Sequence, residues 1–298
     1  MMKIWLEAIR LRTLPLALAS IGMGSFLAAA QHGFRWEVLA LCALTTIFLQ
    51  ILSNLANDYG DSIHGADSKD REGPSRAVQS GKISPKTMKT AMILLGILSL
   101  VSGISLLYIS ISPFTWQVFA FFFVMGLMAI AAAITYTAGS KPYGYAGLGD
   151  ISVLIFFGWI GVLGTFYLHT GFAQWKLLLP ATSCGLLATA VLNVNNIRDI
   201  QSDTKAGKMS IPVRLGRERA RIYHWSLLIG GMVCAVIFLL FDGTGPLGFI
   251  FLITLPLLFK NGLAVSKLEK PAELDPYLKQ MAMTTLLFVI SFGIGILL

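Results

Sequence analysis

The chain has 298 residues, of which 55% are hydrophobic and only 13% are charged, and its mean hydropathy is +0.73. An ordinary soluble protein carries about 25% charged residues, so this composition excludes a soluble globular fold. The apolar runs are long enough to cross a bilayer, and they are continuous instead of alternating with period two. The sequence therefore predicts an all-α polytopic membrane protein and excludes a β-barrel.

Nine apolar windows separated by polar breaks predict nine transmembrane helices. The eighth window is the shortest, and it is rich in Gly and Pro. Because the number of spans is odd, we expect the two termini on opposite sides of the membrane. The predicted spans are residues 14–30, 38–55, 90–109, 118–136, 151–168, 177–194, 225–241, 246–258 and 281–298.

The basic residues indicate the orientation of the chain. Of the 23 Lys and Arg residues, 21 lie on the side of the N-terminus, and only Arg35 and Lys176 lie on the other. By the positive-inside rule, the N-terminus and the long connections are cytoplasmic, and the C-terminus lies on the opposite side. The net charge of +8 does not indicate nucleic-acid binding, since no basic domain lies outside the membrane segments.

Two polar motifs repeat at the cytoplasmic ends of spans two and six. The first acidic motif (residues 54–67) and the second acidic motif (residues 193–203) share the pattern N-[DN]-x-x-D. If both helices continue through their motifs, the acids and amides of each motif line one helix face. The candidate residues are Asn54, Asn57, Asp58, Asp61 and Asp67 in the first motif and Asn195, Asn196, Asp199 and Asp203 in the second.

Carboxylates stacked on one helix face repel each other, and each is costly near a membrane. Carboxylate and amide oxygens suit Mg²⁺, which keeps several waters and is usually shared with a substrate phosphate. Two facing acidic motifs therefore predict a cradle for a metal-bridged diphosphate. The alternative is that both motifs are only solvated helix ends, but two matching acidic sets are uncommon.

Basic residues follow each motif, as a diphosphate site requires. Lys69, Arg71, Arg76 and Lys82 follow the first, and Arg198, Lys205, Lys208 and Arg214 lie in or after the second. Cations near a leaving diphosphate neutralise the charge that develops on it. The positive-inside rule is the alternative explanation for any single one of them.

A third segment (residues 136–150) combines glycines with tyrosines before span five. Its glycines allow tight turns and close approach of the backbone, and its tyrosines are placed to face a cation. We expect Tyr136, Lys141 and Tyr143 of this segment to contact the substrate.

These motifs resemble the UbiA superfamily of intramembrane prenyltransferases, over nearly the whole chain. The match is carried by NLANDYGD at 54–61, GPSRAVQSG at 73–81, YGYAGLGD at 143–150, LNVNNIRDIQSD at 192–203 and VRLG at 213–216. Within that family the pattern is most similar to the branch that prenylates 1,4-dihydroxy-2-naphthoate in menaquinone biosynthesis. The six-residue spacing from Asp61 to Asp67 is shared with this branch.

The resemblance implies a single prenyltransferase domain over residues 1–298, with nine helices around a central lumen and cytoplasmic cap loops at 57–89 and 195–224. It implies a bacterial inner-membrane enzyme that transfers an all-trans polyprenyl group from its diphosphate to the naphthoate, giving demethylmenaquinol. The apolar lumen holds the isoprenoid tail and opens laterally to the lipid bilayer.

The same resemblance implies roles for individual residues. Asp58, Asp61, Asp67, Asp199 and Asp203 would hold Mg²⁺ on the diphosphate, whose oxygens Arg76, Lys82, Arg198 and Lys208 would bind. The face of Tyr136 would stabilise the allylic cation. No obligate protein partner is evident.

Two alternatives remain open at this point. A prenyltransferase of the same fold that acts on another aromatic acceptor, such as 4-hydroxybenzoate, would use the same acidic motifs. A cation transporter would also place Asn and Asp side chains within a helical bundle. Transporters place such groups near the midplane, whereas these motifs lie at one surface, so the transporter is the remote alternative.

Overall fold

The computed structural model describes residues 1–64 and 76–298, and it is helical throughout these ranges apart from turns and short connections. Nine of the described helices are long and apolar enough to cross a membrane, as the sequence predicts. They are α1 (Met2–Ala30), α2 (Trp36–His64), α3 (Pro85–Ser110), α4 (Trp116–Thr135), α5 (Gly149–Thr170), α6 (Trp175–Arg198), α7 (Ile211–Asp242), α8 (Pro246–Lys267) and α9 (Pro271–Leu297).

Several helices extend beyond their predicted spans on the side that carries the acidic motifs. α7 begins at Ile211, well before the apolar window that starts at 225, and α8 continues to Lys267. Hydropathy detects only the part of a helix that is apolar all round, and it misses amphipathic extensions outside the membrane. The loops predicted at 57–89 and 195–224 are therefore largely helical in their described parts.

Four helices are irregular. α1 is interrupted at Arg10, whose φ of 54° lies in the left-handed region, so its first part (Met2–Ile9) is a separate short helix. α5 is π-helical over Leu154–Gly164, α8 begins as a 3₁₀ helix, and α7 is kinked at Gly216. The kink has φ 73°, a conformation that glycine adopts without steric cost.

The bundle has two lobes. The first lobe contains α2, α3 and α4. Buried side chains of α2 and α3 form one apolar cluster together with the N-terminal helix Met2–Ile9, and partly buried side chains of α4 pack against it. The second lobe contains the rest of α1 and α5 to α9, which share a larger cluster. A third cluster joins the lobes at the end opposite the acidic motifs. The lobes are thus tied at one end, and a cavity of about 420 Å³ lies between them.

Small residues let the helices of the second lobe approach closely. A Cβ on Gly158 of α5 would lie 3.0 Å from the Cα of Gly185 on α6. Because lipid tails are as apolar as the helix surfaces, such backbone contact is a main source of packing energy between membrane helices. This contact holds α5 against α6, and both helices contribute residues to the cavity.

Candidate active site

α2 contributes several side chains to the polar end of the cavity. This helix runs unbroken through the described part of the first acidic motif, as predicted, so Asn54, Asn57 and Asp61 lie on the face that lines the cavity. The amide of Asn54 donates to the backbone carbonyl of Ile9 at 2.8 Å and to the hydroxyl of Thr13 at 2.9 Å. Asn54 therefore ties the break in α1 to α2 at the edge of the cavity.

Asp58 does not line the cavity, and its predicted role as a metal ligand stays a prediction. Its carboxylate is buried and accepts hydrogen bonds from the backbone N–H groups of Ala77 at 3.0 Å and Val78 at 3.1 Å. The turn after Arg76 folds back on α2, so both oxygens of Asp58 are occupied by the backbone. Asp58 thus fixes the turn that carries Arg76, and Asp67 lies outside the described residues.

Asp61 faces the cavity and has two polar neighbours. The hydroxyl of Tyr145 donates to Oδ1 at 3.1 Å, and the guanidinium of Arg76 lies 3.8 Å from Oδ2. Tyr145 was not among the predicted site residues, although it lies within the third segment. The sequence shows three tyrosines there, and only the folded turn shows which of them reaches Asp61.

The second acidic motif departs from the predicted continuous helix. α6 ends at Arg198, Asp199 has φ −95° and ψ 10°, and a separate short helix follows at Ile200–Lys205. Asp199 and Asp203 still both line the cavity, together with Asn195 and Asn196. The break therefore changes the helix but keeps both acids at the polar end.

Arg198 does not line the cavity, and its predicted binding of diphosphate stays a prediction. Its Nε and Nη2 donate to the two oxygens of Asp199, each at 2.8 Å, and its Nη1 donates to Asp275 at 2.6 Å. Asp275, at the start of α9, also accepts from Arg12 of α1 at 3.0 Å. A chain of ion pairs thus joins α1, α9 and α6 behind Asp199, and no motif in the sequence marked Asp275.

Lys208 and Asp203 form a buried pair at the cavity wall. The Lys208 ammonium lies 3.4 Å from Oδ1 of Asp203 and 5.9 Å from the centre of the Tyr145 ring. Burial lowers the pKa of Lys208, but the carboxylates of Asp203 and Asp61 outweigh burial and raise it, so the ammonium stays charged. Burial raises the pKa of Asp203 to about 6, although Lys208 opposes the shift.

Tyr136 and Tyr143 form an aromatic wall of the cavity, as expected for this segment. Their rings pack edge to face with centres 5.4 Å apart, and the Tyr143 hydroxyl donates to the backbone carbonyl of Ala132. A Cβ on Gly149 would lie 2.9 Å from the Tyr136 hydroxyl, so only glycine leaves room for this ring. The glycines of the third segment therefore position Tyr136 against the cavity.

Lys82 and Lys141 are exposed and do not line the cavity, and their predicted role in substrate binding stays a prediction. Each lies in or beside a tight turn, and each side chain points to solvent. Among the predicted cations, Arg76 and Lys208 do line the cavity. Lys82 and Lys141 lie on the side that carries most of the Lys and Arg residues, the pattern that the positive-inside rule describes.

The described residues suit a divalent metal that is shared with a phosphate. Asp61, Asp199 and Asp203 all line the cavity, but no three acidic, Cys or His side chains within 1–64 and 76–298 lie close enough together to hold a metal ion by themselves. In the same ranges, the buried atoms Oδ2 of Asp203 and Oδ1 of Asn196 have no hydrogen-bond partner. Mg²⁺ typically takes one or two carboxylates and completes its shell with water and phosphate, so this donor set fits it.

Below the polar end the cavity is apolar. It extends along α2 from Asp61 to Cys42, about 28 Å at the rise of an α-helix. Its side walls come from α3, α4 and α5, and include Leu107, Phe123 and Phe157. A polar end with carboxylates and cations above a long apolar cavity defines an integral membrane protein that binds an amphiphile with an anionic head and an apolar tail.

Comparison with known proteins identifies this class more closely. The chain belongs to the UbiA prenyltransferase family, whose model matches residues 17–296. It is 48% identical to a 1,4-dihydroxy-2-naphthoate octaprenyltransferase of Haemophilus influenzae, over 100% of this chain and 96% of that protein. It is 47% identical to the protein of the same name from Escherichia coli, over 99% of this chain and 95% of that protein.

Solved structures support the same fold. A UbiA homologue from Aeropyrum pernix superimposes with a TM-score of 0.69, covering 97% of this chain and 98% of its own at 16% identity. A UbiA homologue from Archaeoglobus fulgidus, bound to GPP and Mg²⁺, has a TM-score of 0.62 and 17% identity, covering 99% of this chain and 100% of its own.

Proposed function

We propose that the chain transfers a polyprenyl group from polyprenyl diphosphate to 1,4-dihydroxy-2-naphthoate, releasing diphosphate and CO₂ and giving demethylmenaquinol. The observation that carries the proposal is the near-complete match, at 48% and 47% identity, to two proteins named for transfer to this acceptor. The cavity supports it independently, because its polar end suits a diphosphate and its apolar length suits an isoprenoid.

In this mechanism Lys208 and Arg76 bind the diphosphate oxygens, since both are cations that line the polar end. One or two of the carboxylates of Asp61, Asp199 and Asp203 would hold Mg²⁺, with Asn57, Asn195 and Asn196 as neighbouring polar groups. The metal supplies positive charge that stabilises the leaving diphosphate. Lys208 and Arg76 then neutralise the charge that develops as the carbon–oxygen bond breaks.

The carbon left by the diphosphate is an allylic cation, and the protein must keep water from it. The ring of Tyr136 lines the cavity beside that of Tyr143, and its face would stabilise the cation. The electron-rich ring carbon that bears the carboxylate attacks the cation and forms the new carbon–carbon bond. Loss of CO₂ returns its bonding pair to the ring and restores aromaticity.

We place the polar end of the cavity on the cytoplasmic side of a bacterial inner membrane, with the N-terminus on the same side. The distribution of Lys and Arg supports this orientation. Trp36, Trp116 and Trp175 begin α2, α4 and α6 at the opposite end and are exposed, as interfacial anchors are. We further propose that residues 1–298 form one domain, because both lobes contribute to a single cavity.

The identity of the acceptor is tested with the purified chain reconstituted into lipid vesicles and supplied with polyprenyl diphosphate and Mg²⁺. We expect a prenylated, decarboxylated product with 1,4-dihydroxy-2-naphthoate, measured by mass spectrometry, and none without the divalent metal. Lys208→Ala should abolish it, whereas Lys82→Ala, an exposed cation away from the cavity, should not. Preferential prenylation of 4-hydroxybenzoate would overturn the acceptor assignment and leave the fold assignment intact.

A further inference from the structure

A carboxylate outside the cavity binds the Arg198 guanidinium together with two groups of the cavity wall. Nε and Nη2 of Arg198 donate to Asp199, Nη2 also donates to Oδ1 of Asn195 at 2.9 Å, and Nη1 donates to Asp275 at 2.6 Å. Each nitrogen of the planar guanidinium therefore has a partner, so its orientation is fixed. Asp199 and Asn195 line the cavity, whereas Asp275 does not.

Asp199 needs this support because it lies at a break between helices. It separates α6 from the short helix Ile200–Lys205, with φ −95° and ψ 10°, so a regular helix does not set the direction of its side chain. The two 2.8 Å bonds from Arg198 orient the carboxylate instead. A carboxylate has about four lone-pair sites, so this fork uses only part of its capacity to bind ligands.

Asp275 also affects the charge that Asp199 presents to the cavity. A guanidinium paired with one carboxylate cancels most of the negative charge of that carboxylate and so opposes the binding of a metal cation. Here Arg198 is shared between two carboxylates. Arg12 offsets Asp275 in part, but its side chain is 30% exposed and screened by water, whereas that of Arg198 is 2% exposed.

We propose that Asp275 is a positioning residue for Asp199 and acts through Arg198. The role rests on the proposed function, in which Asp199 is taken as one of the carboxylates that hold the metal. Without the Asp275 carboxylate, Nη1 of Arg198 loses its charged partner and the guanidinium directs its whole charge to Asp199. The consequence is a weaker metal site at the polar end of the cavity.

Three variants isolate the charge of Asp275. Asp275→Asn keeps the shape of the side chain and one acceptor for Arg198 but removes the charge. Asp275→Glu keeps the charge and tests rescue. Glu273→Gln is the matched control, because it removes the same charge two residues earlier, from an exposed side chain that pairs with Lys270 at 4.0 Å.

Metal binding is measured without turnover, from the rise in the unfolding midpoint of the purified chain in detergent. Mg²⁺ is titrated at a fixed concentration of inorganic diphosphate. We expect Asp275→Asn to need about tenfold or more Mg²⁺ to reach half of the full rise, as is typical when a group that orients a metal ligand is lost. Asp275→Glu should lie closer to wild type, and Glu273→Gln should match wild type.

Turnover separates positioning from a purely structural role. The Mg²⁺ concentration for half-maximal turnover should rise by a similar factor in Asp275→Asn, whereas kcat at saturating Mg²⁺ should return toward the wild-type value. A fall in kcat or in the unliganded unfolding midpoint with no change in Mg²⁺ requirement would show that Asp275 only holds helices together, and would overturn the inference.

A double-mutant cycle tests the route through Arg198. A lysine at this position lacks the planar fork, so Arg198→Lys breaks the link between the two acids. Asp275→Asn should therefore change the Mg²⁺ requirement less in the Arg198→Lys background than in wild type. An equal change in both backgrounds would overturn the route, whereas a wild-type chain that shows no Mg²⁺-dependent rise would overturn the metal site of the proposed function instead.

Discussion

Asp58 and Asp203 are buried acids of the two motifs, and their oxygens meet different partners. Asp58 accepts hydrogen bonds from two backbone N–H groups and does not line the cavity. Asp203 lines the cavity, and its Oδ2 has no partner among the described residues. The free oxygen suits a ligand from outside the protein, whereas the occupied carboxylate stabilises the turn that carries Arg76.

Substitution of each acid should separate these two tasks. Asp203→Asn should lower turnover by about a hundredfold or more, as loss of one electrostatic contact to a developing charge does. Its thermal unfolding midpoint in detergent should fall less than that of Asp58→Ala, because the amide carbonyl still accepts from Lys208 and the Asp61 carboxylate still stabilises that ammonium.

Asp58→Ala should instead lower the free energy of unfolding by about 1–3 kcal/mol, because it leaves buried N–H groups without an acceptor. Asp58→Asn keeps one carbonyl acceptor and should lose less. Thermal unfolding of all three variants in the same detergent measures the difference. A loss of stability in Asp203→Asn equal to that of Asp58→Ala would contradict the assignment.

At the scale of single residues, the sequence indicates which chemical groups the site contains better than it indicates which residues contact each other. Asp61, Asp199 and Asp203 of the repeated motif line the cavity, and their predicted role as metal ligands stays a prediction. The motif does not distinguish Arg198, which pairs with Asp199 and Asp275, from Lys208, which lines the cavity. Arg198 is held away from the cavity partly by Asp275, which lies far along the chain. The spacing of residues within the motif carries no information about this long-range ion pair.

At the scale of elements, close approach of the backbone sets the position of the site. Gly60 on α2 lies so near to the carbonyl of Thr137 that a Cβ would clash with it. This approach holds Asn57 within 2.9 Å of the Thr137 hydroxyl and places α2 against the third segment. The polar end therefore depends on a residue that carries no functional group.

Gly60→Ala should displace residues 136–138 from α2 and so move Tyr136 relative to Asp61. We expect a fall in kcat of about tenfold or more, since misplacement of reacting groups by about an ångström is costly. Gly96→Ala, at a position with open space, is the matched control and should retain wild-type turnover. Unchanged kcat in Gly60→Ala would show that this contact does not position the site.

The element boundaries show where sequence prediction stops. All nine membrane-crossing helices found in residues 1–64 and 76–298 correspond to predicted spans. The break at Asp199 and the early start of α7 at Ile211 were not predicted. Both lie where the helices leave the membrane, and hydropathy does not define a helix that is partly polar.

At the scale of the whole molecule, the orientation in the membrane is open to direct measurement. We expect a cysteine at Gly245, between α7 and α8, to react with a membrane-impermeant maleimide in intact bacterial cells. A cysteine at the exposed Lys82 should react only after the cells are permeabilised. Both substitutions require a background in which Cys42, Cys184 and Cys234 are replaced by Ala.

The opposite labelling pattern would reverse the orientation that the basic residues indicate. Lys82 and Gly245 are separated by an odd number of spans. Labelling of both positions in intact cells would therefore contradict their placement on opposite sides of the membrane. The permeabilised sample is the control, since both cysteines must react there if they are exposed.

The absence of any buried residue in α4 has a consequence for how the reaction is measured. This helix has hydrocarbon on one side and the cavity on the other. We therefore expect the donor to reach the enzyme from within the membrane, which is a two-dimensional phase. Its rate then follows the mole fraction of donor among the surrounding amphiphiles, not the bulk concentration of donor. Added detergent or inert lipid should slow turnover by surface dilution, even with every substrate held at constant amount per volume.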